Sequence, residues 1–248
     1  MWSSLFKFAL LSTVLAAPAA DSDALERRLI TGTLNDGNAF VQGTIDGMTW
    51  QASGVLEEGC TLSTINDCYH MFLISNTTEE LDTNHLSSPR QRDEFHFPQV
   101  DAGVEFSYTW KQYLYSSTGT GTTWFHLFQA FGVEEDSPLI TLDAEKDELM
   151  IKDYVRGTGG PQCGDVTCPV TDLSNYHGTT TTHTASGSFG PDGSLSYKVV
   201  NSATGDEIIS YSVSGDMGAG AGYVKFGIYR LCWDGMTNAN AVVGDWAS

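Results

Sequence analysis

Residues 223–230 read Tyr-Val-Lys-Phe-Gly-Ile-Tyr-Arg and alternate without a break. Successive side chains of a strand point to opposite faces. Val224, Phe226 and Ile228 therefore share one face, and Tyr223, Lys225, Gly227 and Tyr229 the other. The first set is a core face. The second carries two phenols, an ammonium and a glycine that leaves room between them. That suits the floor of a groove for a flat, polar, anionic ligand better than a solvated face of Thr, Ser and mixed charges. An exposed strand with ordinary aromatic pairs is the plainer reading of the same residues. The period of two holds elsewhere, and no segment beyond the N-terminal apolar run sustains a helical repeat.

Alternating runs bounded by turn residues predict strands at Phe40–Ile45, Met48–Leu56, Tyr69–Ser75, Arg90–Phe97, Val104–Tyr115 and Thr122–Gly132. Further strands are expected at Leu139–Asp143, Glu148–Tyr154, Thr182–Phe189, Ser194–Asn201 and Glu207–Ser214. No repeat of fixed period is present, which disfavours a propeller or solenoid. This many short strands without helices predict an all-β fold: a β-jelly roll, a concanavalin-like sandwich of two antiparallel sheets with a groove on one.

The N-terminus predicts export. Residues 1–17 have the charged start, short apolar core and small-residue end of a signal peptide. Residues 18–28 read as a propeptide closed by the dibasic Arg27-Arg28, leaving 29–248 as a single domain. The apolar run is too short to span a bilayer. With 12 Lys and Arg against 31 Asp and Glu, the net charge of −19 argues against nucleic acid or a membrane surface as partner. It permits an anionic substrate where the few cations cluster, and Arg90, Arg92, Lys225 and Arg230 fall in two short motifs. Proximity suggests disulfides Cys60–Cys68 and Cys163–Cys168, in keeping with an oxidising compartment, with Cys232 left as a buried thiol. Asn76-Thr77-Thr78 is an N-glycosylation sequon.

Three stretches carry the candidate chemistry: Arg90-Gln-Arg-Asp-Glu-Phe95, Trp124-Phe-His-Leu-Phe-Gln129 and Tyr223–Arg230. In this order they resemble the signature strands of jelly-roll polysaccharide lyases. Family 7 alginate lyases have Arg-x-Glu-x-Arg, Gln-x-His and Tyr-Phe-Lys-Ala-Gly-x-Tyr strands, and the last matches Tyr223, Lys225, Gly227 and Tyr229. Over most of the chain the phrases Ser-Pro-Arg-Gln-Arg-Asp-Glu-Phe, Tyr-Thr-Trp-Lys-Gln-Tyr and Phe-His-Leu-Phe-Gln resemble family 20, the fungal glucuronan lyases. Two departures stand out. The second arginine is differently spaced, and His126 and Gln129 are three residues apart, which puts them on opposite faces of a regular strand. Either a bulge re-aims one of them or only one lines the groove. His126 is the favoured one, because Gln129 shares parity with Phe125, Leu127 and Phe131.

The resemblance implies a secreted, monomeric enzyme that cleaves a polyuronide such as glucuronan by β-elimination. Its carboxylate must be neutralised before the neighbouring C5 proton can leave. His126, Tyr229, Tyr223, His85 and Gln129 are the catalytic candidates. Arg90, Arg92, Lys225, Lys111 and Trp124 are the substrate-binding ones, with Phe128 a further ring for stacking. Lys225 beside the two tyrosines is expected to favour a phenolate. His70, His96, His177 and His183 read as structural. The chemistry requires no cofactor. The resemblance implies a structural calcium away from the groove, for which Asp36, Asn38 and Asp245 offer oxygens. Two rivals stand beside this reading. A β-sandwich glycoside hydrolase needs two facing carboxylic acids, and a non-catalytic lectin-like domain needs only the aromatic groove.

Overall fold

The computed structural model describes residues 31–248. The expected signal peptide, and the propeptide with its dibasic site, lie outside the described residues. The strands in chain order are β1 (Gly32–Asp36), β2 (Val41–Ile45), β3 (Met48–Ala52), β4 (Val55–Glu58), β5 (Cys68–Leu73) and β6 (Arg90–His96). Next come β7 (Glu105–Leu114), β8 (Phe125–Gly132), β9 (Ile140–Glu145), β10 (Glu148–Asp153), β11 (Gln162–Cys163) and β12 (Val166–Thr167). The last six are β13 (Val170–Asp172), β14 (Thr180–Ser188), β15 (Gly190–Asn201), β16 (Glu207–Met217), β17 (Gly222–Leu231) and β18 (Ala239–Ala247). Among the described residues two short 3-10 turns, Thr83–His85 and Leu173–Asn175, interrupt the strands.

Two eight-stranded antiparallel sheets form a jelly-roll sandwich, as the alternation predicts. One has the order β1-β4-β5-β18-β7-β14-β15-β16 and the other β13-β10-β9-β8-β17-β6-β3-β2. The expected strand Met48–Leu56 is two strands, β3 and β4, in different sheets. The chain crosses over at Ser53-Gly54, where a side chain on Gly54 would meet the Phe72 carbonyl at 2.4 Å. β18 lies between β5 and β7 at the centre of its sheet, and the sequence reading missed it. Its residues, Ala-Asn-Ala-Val-Val-Gly-Asp-Trp-Ala, are mostly small and alternate weakly.

Between the sheets lies an aromatic core. Trp110 of β7 stacks on Phe226 of β17 at 4.9 Å and on Phe128 of β8 at 5.9 Å, and Phe128 stacks on Tyr197 of β15 at 4.0 Å. Val224, Phe226 and Ile228 are fully buried in this layer, as their parity requires. Such offset ring pairs add about 0.5–1.5 kcal/mol each beyond burial. His183 sits in the same layer, bonded to Tyr197 and Thr181, and burial lowers its pKa to about 3. It is a neutral structural group.

Both expected disulfides are present, Cys60–Cys68 and Cys163–Cys168, and Cys232 is free but half-buried just beyond β17. The eight-residue separation of Cys60 and Cys68 makes a definite prediction. Replacing both by Ser should lower the unfolding free energy by about 2–3 kcal/mol, from loop-closure entropy restored to the unfolded chain. Urea titration of the double variant measures it, and an unchanged midpoint would refute it.

Candidate active site

The outward face of the second sheet gathers the three motifs. β17 runs between β6 and β8, with Tyr229 opposite Arg92 on one side and His126 on the other. Two outward pairs further along, past Gly227 and Glu94, Lys225 stands opposite His96 and Gln129. His126 and Gln129 thus face the same way, contrary to the expectation for a regular strand. The register explains it. Between the Phe226–Phe128 and Tyr229–His126 pairs, β17 advances three residues while β8 advances two. On the far side, β8 advances two residues from His126 to Phe128 while β9 advances one. Leu127 and Phe128 both join the core at this irregularity, and the parity of β8 inverts beyond it. Phe128 is therefore a core ring and not a sugar platform. Phe131 takes the outward place, with Tyr223 stacked on it at 5.7 Å and the Lys225 ammonium 5.2 Å from its centroid.

Tyr229 is at the centre, only 6% exposed. Its hydroxyl accepts hydrogen bonds from Arg92 Nη2 at 2.7 Å and Arg90 Nη1 at 3.2 Å. Burial raises its pKa above the ordinary phenol value, with Arg92 and Arg90 opposing. Burial likewise raises Tyr223. The expected phenolate beside Lys225 is therefore not the resting state, because desolvation outweighs the cations. Lys225 is itself nearly buried, its pKa lowered by burial, and its nearest anion is Glu94 at 4.0 Å.

Arg92 is committed within the protein. Nη2 also binds the Asp82 carboxylate, Nη1 donates to Gln51 Oε1 at 2.7 Å, and Glu94 lies 3.6 Å away. Arg92, expected as a substrate-binding residue, spends these donors on Tyr229, Asp82 and Gln51. Arg90 is half-buried and donates from Nε to the Ser88 carbonyl, which leaves Nη2 for a ligand. Glu94 accepts a 2.5 Å bond from Gln129 Nε2 and so fixes that amide.

His126 is held by a residue the sequence reading did not single out. Its Nδ1 lies 2.5 Å from Asp143 Oδ1 on β9. Burial would raise Asp143, but His126 and Lys152 overcome it and hold the carboxyl below its ordinary value. An ionised carboxylate only accepts, so Nδ1 carries a proton, and in the neutral ring it is Nε2 that has the lone pair. Trp124 stacks flat on the imidazole at 4.5 Å, with Arg90 5.3 Å from its own ring centroid. Trp124 thus fixes two site residues as well as offering apolar surface. Asp143 was legible in principle. Thr141, Asp143 and Glu145 alternate with Ile140, Leu142 and Ala144, so one face of β9 is acidic.

His85 sits on the first 3-10 turn, 45% exposed, with Nε2 3.8 Å from Asp82 Oδ2. Burial lowers its pKa, with Arg90, Arg92 and Lys225 adding to the effect. It stands at the rim of the site. His96 shares the outward face, 5.0 Å from the Tyr223 ring, and burial with Lys225 lowers its pKa to about 4.

One expected member, and one further cation of the motifs, lie elsewhere. Lys111 is on β7 in the other sheet, paired with Asp245 Oδ2 at 2.9 Å, and is not part of the site. Arg230 has the opposite parity to Tyr229, so it turns inward and is fully buried among the carbonyls of Leu73, Ile74 and Thr237 and the Gln91 side chain. Desolvation lowers its pKa to about 10.

The residues suggested for calcium do not fit one. Asp245 Oδ1 accepts from the Asn66 and Asp67 amides, and Oδ2 is taken by Lys111. Asp36 is bonded to Asn38. Among the described residues no three His, Cys, Asp or Glu side chains are grouped as a metal would need.

No protein-family profile matches the chain, and no curated protein does. Solved structures do. An endo-β-1,4-glucuronan lyase from the fungus Trichoderma reesei aligns over 87% of this chain and 92% of its own, with TM-score 0.53 and 13% identity. The alginate lyase AlgAT5 of polysaccharide lyase family 7 aligns over 74% and 79%, with TM-score 0.45 and 16% identity. An alginate lyase from Corynebacterium sp. aligns over 72% and 75%, with TM-score 0.47 and 11% identity. At these identities the likeness is one of fold, and the chain has the two-sheet β-jelly roll on which the fungal glucuronan lyase is built.

Proposed function

We propose that the protein is a secreted polysaccharide lyase that cleaves a polyuronide, glucuronan first among the candidates, by β-elimination. The observation that carries this reading is the convergence on Tyr229. Its hydroxyl sits under two guanidinium groups, beside an imidazole aimed by a buried carboxylate.

The residues divide the reaction between them. Arg90 Nη2, Lys225 and the free N–H of Gln129 supply positive charge for the uronate carboxylate, which spreads the negative charge that builds up as C5 loses its proton. His126 Nε2 accepts that proton. Tyr229, protonated at rest, gives its own to the glycosidic oxygen as the C4–O bond breaks. Arg90 and Arg92 then stabilise the phenolate until a proton returns. His85 stands at the rim as a second base candidate, and Tyr223 flanks the Lys225 end. The products are a free reducing-side hydroxyl and a C4=C5 unsaturated uronate, with no water consumed.

The rival readings find less support. The carboxylates on this face, Asp82, Glu94, Asp143 and Glu145, are bonded respectively to Arg92, Gln129, His126 and Lys152. None is free to act as one of the two acids of a glycoside hydrolase. A lectin has no use for a buried phenol between arginines. Incubation with glucuronan, alginate and pectate separates all three. A lyase produces the ultraviolet absorbance of the conjugated uronate, a hydrolase only reducing ends, a lectin neither. Absence of that absorbance on every polyuronide would end the lyase reading.

A further inference from the structure

We propose that Lys152 is a positioning residue for this site: it balances the charge on Asp143 and so sets the pH at which the His126 ring turns from acid to base. The proposal rests on the lyase reading for its purpose, though not for its test.

The outward face of β9 is unusual. Asp143 and Glu145 stand two residues apart on a strand whose every residue is buried. One cation answers both. Lys152, on the neighbouring β10, places Nζ 3.1 Å from Asp143 Oδ2 and bonds Glu145 Oε1, with its side chain 13% exposed. The aligned hydrogen bond goes to Glu145, while Asp143 Oδ2 has none, so Lys152 acts on Asp143 through charge. Burial would lower Lys152 and raise Asp143. Asp143 and Glu145 outweigh burial at Lys152, and His126 with Lys152 outweighs it at Asp143, leaving Lys152 above and Asp143 below their ordinary values.

Beside Asp143 and Glu145 stands also Tyr154, whose phenol burial and those two charges keep protonated. Tyr229 approaches from β17, and Arg90 and Arg92 on β6 are turned to its hydroxyl. Trp124 covers one face of the imidazole. Lys152 is thus the cation on the Asp143 side of the ring. Without it, two buried carboxylates would have only the imidazole to offset them, and the imidazolium would be favoured. A ring locked as imidazolium cannot accept the C5 proton.

The test is a His126 titration followed by NMR of histidine-labelled protein, together with pH profiles of kcat and KM. In Lys152→Met the His126 midpoint should rise by about one pH unit, the low end of the effect of a neighbouring charge, because Lys152 acts on the ring through Asp143. The acid limb of kcat should move up with it, lowering turnover about tenfold below the new midpoint while KM holds. Lys152→Arg should restore the wild-type midpoint. If Lys152→Met does not fold, Glu145→Gln frees the ammonium for Asp143 and should move the midpoint down. An unmoved midpoint in the folded variants overturns the proposal, as does a rise in KM alone, which would make Lys152 a substrate ligand. The titration needs no turnover. A shifted midpoint in a protein that cleaves no polyuronide would sink the lyase reading and leave the electrostatic one intact.

Discussion

Tyr229→Phe should lose nearly all eliminating activity while folding and binding as the parent does. The substitution keeps the ring, its edge contact with Trp124 and its place under Arg92. It removes one hydroxyl. General acid catalysis is worth ~10²–10⁴-fold in rate, or about 3–5 kcal/mol of barrier. The cost in stability is smaller, about 1 kcal/mol for the lost hydrogen bonds, because Arg92 keeps Asp82 and Gln51. KM for oligo-glucuronate should change little. Tyr223→Phe is the matched control. Tyr223 has no guanidinium on its hydroxyl and contacts His96 and Phe131 through its ring, so its loss of hydroxyl should cost far less. Steady-state kinetics on both variants decides the matter. If Tyr229→Phe keeps close to full kcat, the phenol is not the acid and the mechanism drawn above is wrong.

Asp143→Asn should be nearly as damaging, from a residue that never meets substrate. The carboxylate can only accept a hydrogen bond, which forces the proton onto His126 Nδ1. A carboxamide can donate instead, which turns the ring to the tautomer with its proton on Nε2, where the base must be empty. The same change strips Lys152 of one partner. A fall in kcat of ~10²–10⁴-fold is expected, the worth of the general base, with KM near its original value. The urea midpoint checks that the fold survives. A fully active Asp143→Asn would transfer the base to His85, whose exposed ring needs no such tautomer lock.

The fold was readable because it rests on parity. Strict alternation at residues 223–230 placed Val224, Phe226 and Ile228 inside and the phenols outside, and both hold in the structure. The short cysteine separations gave both disulfides. What escaped was whatever parity does not encode. β18 is built of small residues whose burial comes from the neighbours they sit between. Lys111 has a groove-like setting in sequence, with tyrosines two and four residues on, but its strand belongs to the other sheet. Membership of a sheet is a long-range fact. Asp143 escaped because its meaning depends on His126, seventeen residues earlier on the adjacent strand. The phenolate expectation failed for a different reason. Neighbouring charge can be guessed from spacing, but the desolvation that overrides it needs the packed structure.

The register change beside Leu127 has a bearing on how such sites are found. In β8 a histidine and an amide three residues apart stand side by side in space, because the neighbouring strand covers four residues over the same distance. A search template that fixes the interval between these two letters would discard this chain, although the two side chains share one face. Strand partners are the more durable coordinate: Tyr229 with His126, Lys225 with Gln129. Sequences in which a one-residue insertion or deletion has fallen inside a catalytic strand can keep their chemistry in this way, and surveys written in terms of cross-strand pairs would recover them.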